Sequence, residues 1–158
     1  MEIGKADIGG SFVSLAFPMK IEMLAICDAA TDYQGRLNVL GVFEGIAAPK
    51  TPVVRERCCI VTRLRFGRNE VGPHQLKISL RNSKGVQLMP EMKANFSVKV
   101  PPNRASVAVN MVLNLNKLKI EEFGNHEIAL SMDETLQGTV PLTVARAMKK
   151  QVRGTMDN

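Results

Sequence analysis

The feature that most constrains this chain is a period-two alternation of apolar and polar side chains, recurring in short runs from Met19 to Val144. In its clearest run Val107, Val109, Met111, Leu113 and Leu115 fall on one face, with Asn110, Asn114 and Asn116 on the other. Successive strand side chains point to opposite faces, so such a run buries one face and wets the other. Cys58, Ile60, Thr62, Leu64 and Phe66 alternate with Cys59, Val61, Arg63 and Arg65 in the same way. Leu76, Ile78 and Leu80 alternate with Lys77, Ser79 and Arg81, and Phe96, Val98 and Val100 with Asn95, Ser97 and Lys99. Ile128, Leu130 and Met132 follow Gly124-Asn125, and Val140, Leu142 and Val144 close the series.

At the start of the series, Ile21, Met23, Ala25 and Cys27 are expected on one face of a first strand, with Leu24 and Ile26 on the other. Leu37–Phe43 answers as a second strand. Between them Asp28–Gly35 reads as a turn or loop, because Asp side chains close turns on nearby backbone and glycine adopts positive φ freely. Lys117–Phe123 is short and ends in glycine, so it reads as a connection. Turn signals at roughly 8–12-residue spacing predict an all-β fold, an antiparallel two-sheet β-sandwich of about eight or nine strands. Its predicted core is Ile60, Leu64, Phe66, Ile78, Leu80, Phe96, Val98, Val109, Met111, Leu113, Leu130 and Leu142. No fixed internal period is present, which excludes a propeller or solenoid.

The 158 residues suit one domain, read as 19–145, which needs no metal or disulfide to fold. Residues 1–18 show a Gly-Gly pair and no periodicity, and read as a flexible extension. Residues 146–158 form a basic tail: Ala145, Met148, Lys149 and Val152 have helical spacing, so a short basic helix and a solvated tail are both open. The uncharged run Ile8–Met19, which no other run exceeds, is too short and too interrupted to span a membrane.

Net charge is +6, but half of the excess lies in the last fourteen residues. Weak, non-specific attraction to anions follows, without sequence-specific nucleic-acid binding. Three cysteines, two of them adjacent, predict buried free thiols and a reducing, cytoplasmic setting. Cys58 and Cys59 point to opposite faces of a strand, so they do not bridge.

No phosphate loop, nucleophile elbow or metal-ligand spacing is present, so no catalytic residue, cofactor or metal ligand is assigned. Two weaker constellations remain. If 57–66 and 75–81 form a hairpin, Arg63 or Arg65 opposes Lys77, and with Arg81 this makes a basic sheet face for an acidic partner or anion. Acidic groups folding over that face are the plainer alternative. Asp28, Asp32, Tyr33 and His74 could converge from loops into a small site, with turn capping the plainer reading of the two Asp. His126 and the pairs Glu121-Glu122 and Asp133-Glu134 read as structural.

The opening Met19–Phe43, together with Arg63-Leu-Arg-Phe66, Gly72–Ile78 and Asp133–Val144, resembles a family of small bacterial proteins carrying a domain of unknown function. The resemblance covers about residues 19–144. It implies an all-β fold without an assigned activity and carries over no catalytic residues. It also implies that such chains begin at the position of Met19. The expectation is a non-enzymatic β-sandwich that binds a protein partner or forms a homo-oligomer, the alternatives being an anion-binding module and an enzyme with a loop-built site.

Overall fold

A computed structural model of the chain describes residues 19–148; the expected extension 1–18 and the tail from residue 149 lie outside them. Nine strands follow in order: β1 (Lys20–Tyr33), β2 (Arg36–Phe43), β3 (Gly45–Ala48), β4 (Val53–Gly67), β5 (Gly72–Asn82), β6 (Met92–Val98), β7 (Ser106–Ile120), β8 (Gly124–Met132) and β9 (Thr135–Arg146). They form a four-stranded sheet, β2-β1-β4-β7, and a five-stranded sheet, β3-β9-β8-β5-β6. Pairing is antiparallel throughout except between β3 and β9. The two-sheet sandwich expected from the alternation is the observed fold.

The core lies between the sheets. Ile60, Leu64 and Phe66 of β4 face Leu76, Ile78 and Leu80 of β5, with Ile128, Leu130 and Leu142 beside them, all buried. Phe96, Val109, Met111 and Leu113 are half-buried and pack against this centre. Truncating a buried leucine such as Leu64 to alanine costs about 2–5 kcal/mol.

Four local expectations are corrected. First, β4 and β5 do not form a hairpin. A helical turn at Arg68–Glu70 and Gly72 at φ 124° carry the chain from one sheet to the other, and Glu70 ties this corner by accepting from Gly67 N at 2.9 Å and Met19 N at 2.6 Å. Two strands with fully apolar faces bury both by packing face to face, which a hairpin cannot do.

Second, β1 is bulged. Ile21 pairs with Leu64 and Met23 with Arg63, leaving Glu22 as the extra residue. A bulge re-aims side chains, so Ile21 turns to the core along with Leu24 and Ile26, and Glu22 faces outward with Met23.

Third, Asp28–Gly35 is mostly strand. The turn is only Gln34-Gly35, with φ 52° and 76°, the two positive values of a tight hairpin turn. Fourth, β7 continues through Lys117, at φ 55°, to Ile120. At the other end, β9 reaches Arg146, which pairs with Ala48.

The β1–β2 hairpin also leaves its sheet. Pairing of β1 with β4 stops at Cys27–Cys59, while β1 and β2 stay paired to their turn. Beyond Asp28 the hairpin folds back over the outer face of β4, because Asn110 of β7 donates to Asp32 Oδ2 at 3.1 Å and to Gly35 O at 3.2 Å. Gly41, at φ 66°, allows the bend. An added Cβ there would stand 2.8 Å from Asp28 Cγ.

Candidate functional site

The four cations expected on one sheet face lie on two. Arg63 and Arg65 point outward from the four-stranded sheet, where Glu22 accepts from both. Arg63 also donates to Asn110 Oδ1 at 2.9 Å, and Arg65 to Ser106 Oγ at 3.0 Å. The Arg65 hydrogen bond comes first among the effects holding the Glu22 carboxyl below its ordinary range. Lys77 and Arg81 point outward from the other sheet, paired with Glu134 and with Glu127 (2.8 Å for the latter). All four charges have partners within the chain, so these residues make two sets of partly exposed ion pairs and no shared basic surface. Exposed pairs of this kind are screened by solvent and stabilise the fold little.

The expected loop site is likewise dispersed. Asp28 lies over Gly41 and pairs with Arg55, whose guanidinium sits 4.3 Å from the Phe43 ring centroid. Asp32 caps the hairpin turn, accepting from Gly35 N at 2.9 Å, and Tyr33 is exposed at the same tip. His74 belongs to β5 in the other sheet. Its ring rests against Phe66 and Phe96, with Nδ1 at 2.6 Å from Asp133 Oδ2 and Nε2 at 2.7 Å from Glu70 O. Burial opposes charging His74, but the bonds to Glu70 and Asp133 outweigh it and raise the imidazole pKa above its ordinary value. Asp133 is held low, first by the Gln75 amide and then by His74. This is a structural clamp joining the corner after β4 to the β8–β9 turn.

Two arrangements carry more chemical information. The outer face of the four-stranded sheet holds a second apolar cluster of Cys27, Cys59 and Val61, covered by Ala30, Leu37 and Val39 of the folded-back hairpin. Within it Cys27 and Cys59 are cross-strand partners with Sγ atoms 3.3 Å apart. Burial, then hydrogen bonding to Cys59, pushes the Cys27 thiol up to about 12. Cys58 points to the main core, where burial likewise raises its pKa. The hairpin also exposes large apolar side chains to solvent: Leu40 is 69% exposed, Val42 62% and Tyr33 64%. Because β2 is the sheet's outer strand, its backbone edge, unpaired among the described residues, runs beside these side chains.

The second arrangement is a cavity of about 460 Å³ on the five-stranded sheet, lined by Arg81, Asn82, Asn125, His126, Glu127 and Thr139 among others. Among the described residues Arg81 Nε and His126 Nδ1 are buried without hydrogen-bond partners, Arg81 on the outer face beside Glu127 and His126 on the core face with Ile128. His126 Nε2–H donates to Glu122 O at 3.1 Å, which leaves Nδ1 as an acceptor. Sequence reasoning singled out Arg81 and passed over His126, whose burial depends on pairing with Asn82.

Sequence reasoning also missed the β2 edge and the thiol pair. The signal for the first is the uncharged stretch Leu37–Phe43 on a strand beside a turn. For the second there was none short of the β1–β4 register. Among the described residues no three His, Cys, Asp or Glu side chains stand close enough to hold a metal ion, and no helix is long and apolar enough to cross a membrane.

No curated protein matches the chain. Residues 22–145, from the β1 bulge to the end of β9, match the family of unknown function DUF6941, and the chain belongs to that family.

Proposed function

We propose that the protein is a self-associating interaction module whose contact surface is the edge of β2. The carrying observation is the exposure of Leu40 and Val42 on a strand with a free edge and no charged residue from Leu37 to Phe43. Natural proteins guard free edges with charge, proline or cover. The other edge of this sheet is so guarded, since β7 carries Lys117 and Lys119. An unguarded edge is the usual site of strand addition.

A second copy suits this edge. Counting from the two-residue turn, Leu37, Val39, Gly41 and Phe43 turn their N–H and C=O groups away from β1. An antiparallel pairing centred on Leu40 then sets Arg36 of one copy across from Glu44 of the other. Both residues are exposed, and neither forms an ion pair among the described residues. A two-fold pairing also closes on itself and does not propagate.

Light scattering across a concentration series tests the reading. A dimer is expected, lost in Leu40→Lys/Val42→Lys. Arg36→Glu and Glu44→Arg should each weaken it, and the double exchange should restore it. A monomer at every concentration, or a dimer indifferent to Leu40 and Val42, overturns it.

A further inference from the structure

We propose that Cys27 and Cys59 are a reversible oxidation site, a dithiol that a hydroperoxide converts to a disulfide at the base of the folded-back hairpin. The two residues are register partners in β1 and β4, with Sγ atoms 3.3 Å apart. A disulfide needs about 2.05 Å, so each sulfur must travel only about 0.6 Å. Alternation counted from the two-residue turn directs the Cys27 N–H and C=O to β2, which makes Cys27–Cys59 a non-hydrogen-bonded pair. Such pairs have Cα atoms about 4.5 Å apart, within the disulfide range. Cys58 faces the opposite side of β4 and packs in the main core.

The surroundings supply a gate. A surface cavity of about 390 Å³ beside the hairpin base is lined by Asp28, Ala30, Arg57, Cys58 and Asn114 among others, and neither Cys27 nor Cys59 lines it. Asn114 is directly across from Cys59, and Arg57 precedes it by two residues on the same face. In the closed arrangement both sulfurs are buried under Ala30, Leu37 and Val39, so reaction waits on lifting of the hairpin, which Asn110 holds down.

The chemistry balances with hydrogen peroxide as oxidant. One thiolate attacks a peroxide oxygen, an S–O bond forms, the O–O bond breaks, and hydroxide leaves and takes up the thiol's proton as water. The second sulfur attacks the sulfenic sulfur, the S–S bond forms, and the S–O bond breaks with loss of a second water. Two thiols have then lost two electrons and two protons, and a dithiol reductant restores them by exchange. The product ties β1 to β4 where the hairpin departs, so oxidation locks the hairpin base.

The test treats the purified full chain with hydrogen peroxide, followed by intact mass, thiol titration and a non-reducing tryptic map. The expected result is loss of two of the three thiols and two hydrogens, with fragment Ile21–Arg36 linked to fragment Cys58–Arg63, reversed by dithiothreitol. Cys58→Ser should keep the bridge, Cys27→Ala and Cys59→Ala should abolish it, and Asn110→Ala should speed it several-fold. Fragmentation sequencing of the linked pair from wild type assigns the bridge to Cys58 or to Cys59 without a variant, so misfolding of a cysteine variant leaves the test intact. Oxygen addition without a bridge, a bridge that uses Cys58, or no reaction in both wild type and Asn110→Ala overturns the proposal.

Discussion

Asn110 Nδ2 lies 3.1 Å from Asp32 Oδ2, although β7 and β1 are not neighbours and the contact passes over β4. That relationship defines the hairpin as an arm laid on the sheet and not a continuation of it. Removing it isolates the arm's contribution. Each lost hydrogen bond costs about 0.5–1.5 kcal/mol, with exposed partners at the low end. We expect Asn110→Ala to destabilise the protein by about 1 kcal/mol and to raise amide exchange selectively in residues 29–40, by about five-fold for each kcal/mol. Unchanged exchange in the arm would show that the apolar contacts of Ala30, Leu37 and Val39 hold it without help.

The strands were legible where one face is apolar and the other polar, as in β7, where Met111 packs inward and Asn110 outward. They were illegible where both faces are apolar. The run Ile21–Cys27 hides its bulge, because moving Ile21 to the face of Leu24 changes nothing in the apolar pattern. The arm was missed for a related reason: Asp28 and Asp32 carry turn chemistry, and the turn chemistry is real, but it serves a bend inside paired strands. The expected basic face failed on register. Arg63 meets Glu22, 41 residues away, and Lys77 meets Glu134, 57 residues away. No local pattern reports such partners. A hairpin assumed between consecutive strands put the cations together when the corner at Arg68–Glu70 had sent them to separate sheets.

Gly41 should be intolerant of any side chain. Its φ of 66° is costly for other residues, and a Cβ would press on the Asp28 carboxylate that Arg55 holds. Positive φ in a non-glycine residue together with a steric shift costs about 1–3 kcal/mol. Gly41→Ala should lower the urea midpoint accordingly with little change in slope. If the midpoint is unchanged, the bend is not held by these two strands.

Thr62 offers a change in the stabilising direction. It is fully buried in β4, and its Oγ1 has no hydrogen-bond partner among the described residues. Replacing an unsatisfied buried hydroxyl with a methyl of similar shape removes a desolvation cost of about 1 kcal/mol or more. Thr62→Val should therefore raise Tm by about 2–4 °C for each kcal/mol gained. A lower Tm would mean that the hydroxyl finds a partner in solution.

His74 and Asp133 give the protein a specific dependence on pH. The folded His74 pKa lies above 6.5, so its contribution is full below that ordinary value and is lost as pH rises through the folded pKa. Asp133 is depressed below 3.8, so its contribution is full above that value and is lost only as pH falls through the lower folded pKa. Between roughly pH 4 and 6.5 both are in place, with imidazolium donating to Asp133 and to the Glu70 carbonyl. Tm should fall as pH rises from 6 to 8.5, and His74→Gln should flatten that slope. In an NMR titration the His74 midpoint should lie above the ordinary histidine value and drop in Asp133→Asn, which keeps an acceptor for the Gln75 amide but removes the charge. A midpoint at or below the ordinary value, or a slope that survives His74→Gln, would assign the dependence to other groups and leave His74 as an uncharged ring packed between Phe66 and Phe96.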